Sequence, residues 1–273
     1  MRPARGSQFT LTLVRALAVT VFALPLVWAG LAALRPSGAP LPAPLLAARP
    51  TLDAFGRLFA VLPVWRFTAN SLLIVVAAVP LTLLTASWAG FALARLPRPA
   101  QRRWVVVSLM ALMVPGVALW PSRFLLYSRI GLIDTYGALL APALMGSSPF
   151  YVLMFYRAFR RIPPALYDAA QLDGAGVLAT WGRVALPIAR PTAAAVAVLA
   201  FVAYWGDVLS PLLYLSDTRR YTLPVGLELL RQLGRADYPL LLAGALWATA
   251  APLVVVVLTV LLLALGERRR AAH

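Results

Sequence analysis

The sequence predicts an all-α, polytopic membrane protein with six transmembrane helices, and three observations lead to that prediction. Hydrophobic residues make up 62% of the 273 residues, and the mean hydropathy of +0.82 is well above that of a soluble globular domain. Six apolar runs approach or exceed the roughly 20 residues that a helix needs to cross a bilayer. Arginines concentrate in every second connection between these runs, as they do in the cytoplasmic loops of membrane proteins.

Cysteine and histidine set limits on the chemistry that the chain can perform. The chain has no cysteine, and its one histidine is the terminal residue, His273. We therefore expect no disulfide framework, no metal site, no cofactor and no histidine-based catalytic set. The net charge of +16 comes from arginines scattered between apolar runs, so membrane topology accounts for it better than binding to nucleic acid does.

Residues 1–69 are predicted to form a basic tail, the first transmembrane helix and an external loop. The apolar run at about 16–34 also fits a cleavable signal peptide. It is longer than a typical signal core and further spans follow it, so a retained helix is favoured. Prolines are frequent in residues 35–69, which indicates an irregular loop.

The remaining spans are predicted to form a core at residues 70–265, followed by a short cytoplasmic tail at 266–273. They are expected at about 70–94, 104–120, 136–158, 191–215 and 240–265. The connection after the first of them carries four arginines, which places it in the cytoplasm by the positive-inside rule. With six spans, both termini and the connection at 163–190 then lie in the cytoplasm as well.

The connection at 163–190 predicts two helices separated by a tight turn. A Pro-Pro pair at 163–164 suits a helix start, where a missing N–H costs nothing. Gly174 and Gly176 can end that helix, because glycine accepts the left-handed conformation at a helix C-terminus. A second helical stretch is expected at about 177–186.

The surface of the first of these helices suits close contact with another protein. Small residues let a partner's backbone approach, larger apolar residues can anchor in a groove, and carboxylates can meet basic groups at its rim. The small residues are Ala169, Ala170, Gly174 and Ala175, the anchors are Leu166, Tyr167 and Leu172, and the carboxylates are Asp168 and Asp173. A solvated loop that merely connects two spans is the alternative interpretation.

The spacing of these residues matches a longer motif. Asp168-Ala169-Ala170 is followed by three residues, Gly174, nine residues and then Val184-Ala185-Leu186-Pro187. This pattern resembles the EAA loop of ABC importer permeases, with Asp168 in place of the usual Glu and Val184 in place of the usual Ile. The resemblance implies a type I ABC importer permease fold, in which the loop, through to Pro187, is a coupling element seated in a cleft of a cytoplasmic ATPase.

Two further segments resemble the carbohydrate branch of that family. Residues 131–136 read Gly-Leu-Ile-Asp-Thr-Tyr, and residues 222–227 read Thr-Leu-Pro-Val-Gly-Leu. The first segment also fits an ordinary external turn in which Asp134 and Thr135 cap the next helix. The resemblance is to the smaller permease subunit of maltose-type importers, a non-enzymatic transport subunit of the bacterial inner membrane.

This resemblance implies several partners: a second homologous permease, two copies of a cytoplasmic ABC ATPase, an extracytoplasmic solute-binding protein and membrane lipid. The chain lacks the Gly-x-x-x-x-Gly-Lys motif, so ATP hydrolysis is expected from the separate ATPase. A permease for another solute, such as a peptide, a polyol or glycerol phosphate, is the nearest alternative. A secondary transporter is a more distant one, because it would need ionisable residues within its spans.

Tyr204, Trp205 and Asp207 are candidate residues of the translocation path. Asp207 is the one acidic residue predicted to fall within a span, where charged side chains commonly face a cavity or pathway. Alternatively, Asp207 reaches water at the outer interface, and the two aromatic side chains belong to an interfacial belt. The run Trp205-Gly206-Asp207, followed by Pro211, resembles the family pattern Trp-Asn-Glu with a later proline, but it lacks the middle polar side chain.

Overall fold

The computed structural model describes residues 5–36, 50–144, 148–233 and 237–271. Every regular element within these ranges is a helix, which confirms the predicted all-α class. The chain forms two compact units, one made of Met1–Trp65 with Gly226–Ala251 and the other of Arg66–Val225 with Pro252–His273. Each unit has its own packing and is described separately below.

The helices follow one another with short connections. The first seven are α1 Arg5–Ala33, α2 Asp53–Val61, α3 Val64–Arg95, α4 Arg98–Leu112, α5 Trp120–Arg129, α6 Tyr136–Leu144 and α7 Pro149–Arg160. The next seven are α8 Pro164–Leu172, α9 Val177–Ala179, α10 Leu186–Ile188, α11 Arg190–Trp205, α12 Leu209–Tyr214, α13 Leu223–Leu233 and α14 Tyr238–Ala271. Two 3-10 turns, Gly116–Leu119 and Thr218–Arg220, and a π-helical turn, Thr180–Ala185, lie between them.

Three helical segments of the described chain are long and apolar enough to cross a membrane: α3, Tyr136–Arg160 and Tyr238–Thr259. The second of these includes residues 145–147, which lie outside the described ranges. Two sharply bent pairs raise the number to five if each is one span: α4 with the segment Gly116–Arg129, at 89°, and Val177–Ile188 with α11, at 83°. The apolar part of α1, Val19–Ala33, is shorter. Six spans therefore remain a prediction.

Small and aromatic side chains hold the first unit together. Ala33 of α1, Ala54 of α2 and Ala243 of α14 form its buried centre, where methyl side chains let three helices approach closely. Around the ring of Trp247, Phe59 and Trp65 each make an edge-to-face contact, with centroids 5.1 and 4.8 Å away. The helix α2 lies within residues 35–69, so this part of the predicted external loop is helical and not irregular.

In the second unit, α3 and α7 touch at the level of their backbones. A Cβ atom on Gly90 would lie 2.6 Å from the Cβ of Phe155 and 2.9 Å from the backbone of Val152 and Tyr156. Only glycine fits at this distance, since real Cβ contacts are longer. The close approach buries Phe91, Phe155 and Phe159 in one aromatic cluster. The ring centroid of Phe159 lies 5.7 Å from that of Phe91 and 5.7 Å from that of Phe155.

Hydrogen bonds of one side chain, Gln101, join the C-terminal ends of α3 and α7 to the start of α4. Gln101 is 7% exposed, and its amide nitrogen donates to the carbonyl oxygens of Ala94 and Leu96 at 3.0 and 2.7 Å. Its amide oxygen accepts from the guanidinium of Arg160 at 2.7 Å. One buried side chain therefore satisfies carbonyls at the open end of α3 and anchors α7 to them.

Asp134 fixes the loop before α6 to the loop after α12. Its backbone is left-handed, with φ of 60°. Its Oδ1 accepts from the N–H groups of Ser216 and Asp217 at 3.0 Å each, and its Oδ2 pairs with Arg220 at 2.6 Å. Asp134 thus clamps a distant loop instead of capping the next helix. The Thr135 hydroxyl donates backwards, to the carbonyl oxygen of Leu132 at 2.7 Å.

We expect Gly90→Ala to destabilise the chain, because its new methyl group must push α3 away from α7. Overpacking of this kind typically costs about 1–3 kcal/mol. Gly56→Ala is the matched control: Gly56 lies inside α2 with nothing within 4 Å of its Cβ position, and this change should be neutral or stabilising by about 0.5–1 kcal/mol. Thermal unfolding of the purified complex, followed by size-exclusion chromatography, measures both. Equal melting temperatures for Gly90→Ala and wild type would contradict the close contact.

Substitutions of Asp134 should distinguish the effect of its charge on the loop at 215–221 from the effect of its hydrogen bonds. Asn tolerates the left-handed backbone and keeps an acceptor for Ser216 and Asp217 but loses the pairing with Arg220, whereas Ala loses everything. Hydrogen exchange of residues 215–221 should therefore slow in the order Ala, Asn, wild type. Equal exchange in all three would show that the clamp does not order this loop.

Acid should weaken the same clamp. Hydrogen bonds from the N–H groups of Asp217 and Ser216, aided by Arg220, hold the pKa of Asp134 below its ordinary value. Because the pKa is lowered in the folded protein, the stabilisation is complete above the unfolded value, roughly 3.9, and is lost as the pH falls through the folded value. Wild-type exchange should then approach that of Asp134→Asn at low pH.

Candidate functional site

Helix α8 begins where the Pro-Pro pair predicts. Pro163 is the N-cap with an extended backbone, φ −56° and ψ 133°, and Pro164 is the first helical residue. The Pro163 carbonyl accepts from the N–H of Leu166 at 3.1 Å. The fixed φ of proline prepares the first turn, and its missing N–H leaves no donor unsatisfied.

The same helix ends at Gly174 in a Schellman motif. Gly174 has φ of +74°, its N–H donates to Gln171 at 3.0 Å, and the N–H of Ala175 donates back to Ala170 at 2.9 Å. These are the two hydrogen bonds that define the motif, and they satisfy carbonyls that the helix end would otherwise leave open. The predicted stop at Gly174 is confirmed. A residue other than glycine would be strained by its backbone there, although no atom lies within 4 Å of the Cβ position.

One face of α8 packs on the chain's own core. Ala170 is 8% exposed, and Tyr167 lies against the aromatic cluster, with its hydroxyl donating to the Phe159 carbonyl at 3.2 Å. The guanidinium of Arg95 sits over the Tyr167 ring, 5.1 Å from its centroid. Burial raises the pKa of the Tyr167 phenol, with Arg95 opposing the shift, so the hydroxyl keeps the proton that it donates.

This packing corrects part of the sequence-based interpretation. Tyr167 was expected to anchor α8 in a partner, and Ala170 to leave room for a partner's backbone. The structure buries Ala170 and half-buries Tyr167, whose ring lies against the aromatic cluster of α3 and α7. They attach α8 to its own chain.

The other face of α8 is exposed. Leu166 is 44% exposed and Leu172 is 89% exposed, although both are apolar. Asp168, Ala169, Asp173 and Gly174 are also at the surface, while Ala175 and Pro187 are half-buried. The predicted small, apolar and acidic residues are therefore split between the two faces, with most of them outward.

Two residues beyond the turn extend the exposed apolar surface. Val177 is 78% exposed and Leu178 is 61% exposed. They were not predicted as site residues. The available signal was that apolar residues flank a glycine turn on both sides in a connection between membrane spans, where water should favour polar side chains.

The segment after the turn is less regular than predicted. In place of one helix at 177–186, α9 leads into the π-helical turn Thr180–Ala185 and then α10. The Thr180 hydroxyl donates to the Gly176 carbonyl at 3.0 Å, and Trp181 meets Trp88 of α3 edge-to-face at 5.8 Å. Such π-turns are frequent at functional sites. Through this contact the segment packs against α3, so it is more than a loop that connects two helices.

The three candidate path residues separate into two groups. Trp205 is 5% exposed and is stacked on Phe201 with centroids 5.7 Å apart, so it belongs to the core and not to a path. Tyr204 and Asp207 line a cavity of about 320 Å³. The Oδ1 of Asp207 accepts from the N–H groups of Leu209 and Ser210 at 3.1 and 3.0 Å, which caps the start of α12 after the break at Gly206.

Metal-binding chemistry has no visible place in this arrangement. Among the residues that the structure describes, no three His, Cys, Asp or Glu side chains are grouped so that they could hold a metal ion. The candidate site consists of an exposed surface on α8 and a separate cavity at the α11–α12 break.

Comparison with known proteins agrees with the motif. The family model described as "Binding-protein-dependent transport system inner membrane component" matches residues 83–271. The arabinooligosaccharides transport system permease protein AraQ of Halalkalibacterium halodurans is 32% identical over 206 residues, covering 75% of this chain and 73% of AraQ. The diacetylchitobiose uptake system permease protein NgcG of Streptomyces coelicolor is 29% identical over 252 residues, covering 91% and 81%.

Solved structures agree with the fold. A bacterial ABC transporter involved in the import of the acidic polysaccharide alginate superposes with a TM-score of 0.71 at 20% identity, over 94% of this chain and 97% of that one. The same kind of transporter, in complex with an alginate pentasaccharide-bound periplasmic protein, gives a TM-score of 0.65 at 17% identity, over 93% of each chain. The family match covers more than half of the residues, and the chain therefore belongs to the inner-membrane components of binding-protein-dependent transport systems, the permease subunits of ABC importers.

Proposed function

We propose that this permease serves the ATP-driven import of a sugar or oligosaccharide, and that α8 is the coupling helix through which an ATPase moves the membrane helices. The observation that carries this proposal is the two-sided construction of α8. Its inner face is fixed to α3 and α7, and its outer face presents exposed apolar and small residues. A solvated connecting loop would need neither feature.

The inner contacts give a mechanical route from α8 into the membrane helices. Tyr167 bonds to Phe159 of α7 and lies under Arg95 at the end of α3. Gly90 then brings α3 against α7 without an intervening side chain. A displacement of α8 would move these two helices together as a rigid body, and packed helices of this kind switch between discrete arrangements more readily than they deform.

The outer face has the chemistry of a helix that seats in a groove. Leu166 and Leu172 supply apolar anchors, and Asp168 and Asp173 supply charge at the rim. The left-handed turn at Gly174 leaves the end of the helix without a side chain, so a partner's backbone can approach there. Permease subunits of this family are not catalytic, and ATP hydrolysis belongs to a separate ATPase subunit.

The proposed substrate class comes from the relatives. Besides AraQ and NgcG, they include the lactose transport system permease protein LacG of Rhizobium radiobacter and the maltodextrin transport system permease protein MdxG of Bacillus subtilis, at 31% and 30% identity. Their names favour a sugar over the peptide, polyol and glycerol phosphate alternatives.

The proposed assembly contains this chain, a second homologous permease and two copies of a cytoplasmic ATPase. An ABC importer permease works with a solute-binding protein, and the alginate transporter structure includes one that carries its ligand. We propose that both termini of this chain lie in the cytoplasm, on the same side as α8. The arginines at 95–103 and around α8 support that orientation.

Gly174→Asp should uncouple the assembled importer. Asp tolerates a left-handed backbone better than most residues, and space is open around the Cβ, so α8 should stay folded while a carboxylate blocks the docking face. We expect loss of uptake and of ATPase stimulation by the binding protein, with normal membrane insertion. Gly56→Asp makes the same change at an equally open position in α2 and should leave coupling intact. Normal coupling in Gly174→Asp would defeat the assignment of α8.

Neighbouring alanines provide a contact test. The chain has no cysteine, so a single introduced thiol is unambiguous. Ala169→Cys lies on the exposed face and should crosslink to the ATPase subunit, whereas Ala170→Cys is 8% exposed and should react slowly or not at all. Mass spectrometry of the crosslinked complex identifies the partner. Crosslinks from Ala170→Cys alone, or from neither variant, would contradict the orientation of α8.

A further inference from the structure

The cavity at the break between α11 and α12 is built from polar and aromatic side chains, although it lies among membrane helices. Its volume is about 320 Å³, and its chemically distinctive lining residues are Arg123, Tyr151, Tyr204, Asp207, Ser210 and Tyr214. They come from α5, α7, α11 and α12 and, for Asp207, from the break between α11 and α12. Non-helical backbone at membrane depth is tolerated where it lines a cavity, and broken helices often surround binding sites.

Tyr214 is the lining residue whose hydrogen-bonding group most clearly lacks a partner. It is 3% exposed, its ring rests edge-to-face on Tyr127 with centroids 5.2 Å apart, and its buried hydroxyl has no hydrogen-bond partner among the described residues. A buried hydroxyl without a partner costs about 1–3 kcal/mol. This hydroxyl has almost no accessible surface, so a ligand hydroxyl would reach it once the Tyr214 side chain moves toward the cavity that it lines. The new hydrogen bond would then remove this cost, since a phenol can both donate and accept.

The two charged residues of the cavity also have hydrogen-bonding groups that no described residue uses. Asp207 uses Oδ1 to cap α12, and no hydrogen bond within the described ranges involves its Oδ2. Arg123 makes no hydrogen bond or ion pair with any residue that the structure describes. The side chains of Asp207, Arg123 and Tyr214 therefore line one cavity without forming a hydrogen bond or ion pair with one another.

We propose that this cavity binds one ring of an uncharged saccharide during its passage through the permease. The proposal rests on the proposed import of sugars and adds a place and a ligand class. Sugar hydroxyls both donate and accept, which suits Asp207, Arg123 and Tyr214 together, and the rings of Tyr151 and Tyr204 can cover the apolar face of a pyranose. The volume is near the lower end of small-molecule sites, roughly 300–1,000 Å³, so it suits one ring and not a chain.

The balance of charge selects the class of sugar. The cavity carries one formal positive and one formal negative side chain, so an acidic saccharide would gain from Arg123 only while approaching the carboxylate of Asp207. An uncharged sugar meets no such conflict. In this respect the chain should differ from a permease that takes acidic polysaccharides.

The test is uptake by the complete importer, reconstituted in liposomes with its own binding protein at saturation. The probes are lactose, trehalose, maltotriose, arabinotriose and diacetylchitobiose, with trigalacturonate as the acidic comparison. Tyr214→Phe should lower the initial uptake rate of the imported neutral sugar about 3- to 10-fold, the effect of losing one hydrogen bond. Asp207→Asn keeps an acceptor for the α12 cap but turns the free oxygen into a donor, and it should lower the rate about 10-fold or more.

Tyr221→Phe is the matched control. Tyr221 packs on the same hydrophobic cluster as Tyr214 but does not line the cavity, so loss of its hydroxyl should not alter uptake. Thermal unfolding separates a ligand role from a structural one. Tyr214→Phe should melt at or above the wild-type temperature, because it removes an unpaired buried hydroxyl, whereas a structural hydroxyl would make the variant less stable.

The possible outcomes distinguish failure of the cavity subsite from failure of the proposed sugar import. Reduced uptake in both cavity variants, with unchanged uptake in Tyr221→Phe, supports the subsite. Wild-type uptake in both cavity variants overturns the subsite while sugar import stands. Uptake of trigalacturonate in place of the neutral sugars, with Arg123→Met as the sensitive variant, overturns the uncharged class. A wild-type importer that takes none of these saccharides defeats the proposed function itself.

Discussion

The backbone contact between α3 and α7 at Gly90 is the constraint on which the proposed coupling depends. It brings the two helices close enough for Phe91, Phe155 and Phe159 to form one cluster. That cluster is the surface on which α8 rests through Tyr167. A larger side chain at position 90 would separate the helices and remove the seat of α8. A glycine near the C-terminal end of α3 thereby supports the position of α8.

The spacing of the α8 motif has a physical explanation in the Schellman turn. Gly174 lies four positions after Ala170, so the alanine becomes the position whose carbonyl closes the turn and the glycine becomes its left-handed residue. A small residue suits position 170 because that position is buried, and glycine suits position 174 because the backbone there has a positive φ. Of the two adjacent alanines in this motif, Ala170 is buried and Ala169 is exposed, where the proposed coupling would use it for close approach of a partner.

Breaks in the membrane helices concentrate the polar chemistry of the chain. Where α11 ends, Asp207 satisfies the free N–H groups of α12, which would otherwise be unpaired in an apolar setting. The same carboxylate then lines a cavity together with Arg123 and Tyr214. Outside the spans, Asp134 uses its own left-handed backbone and carboxylate to bind the loop that follows α12. Two carboxylates therefore fix the two sides of α12: Asp207 caps its start, and Asp134 binds the loop that follows it.

The sequence by itself determined the helical class, the start of α8 at a proline pair and its end at Gly174, because local backbone preferences decide these features. It also indicated the family, since the motif spacing is a property of the chain alone. Tertiary structure decided which face of α8 is available: Tyr167 turns inward because α3 and α7 together build an aromatic surface that no local pattern reveals. It likewise buried Trp205 and brought Tyr214 to Asp207 and Arg123, since contacts between residues far apart in sequence depend on how the helices pack.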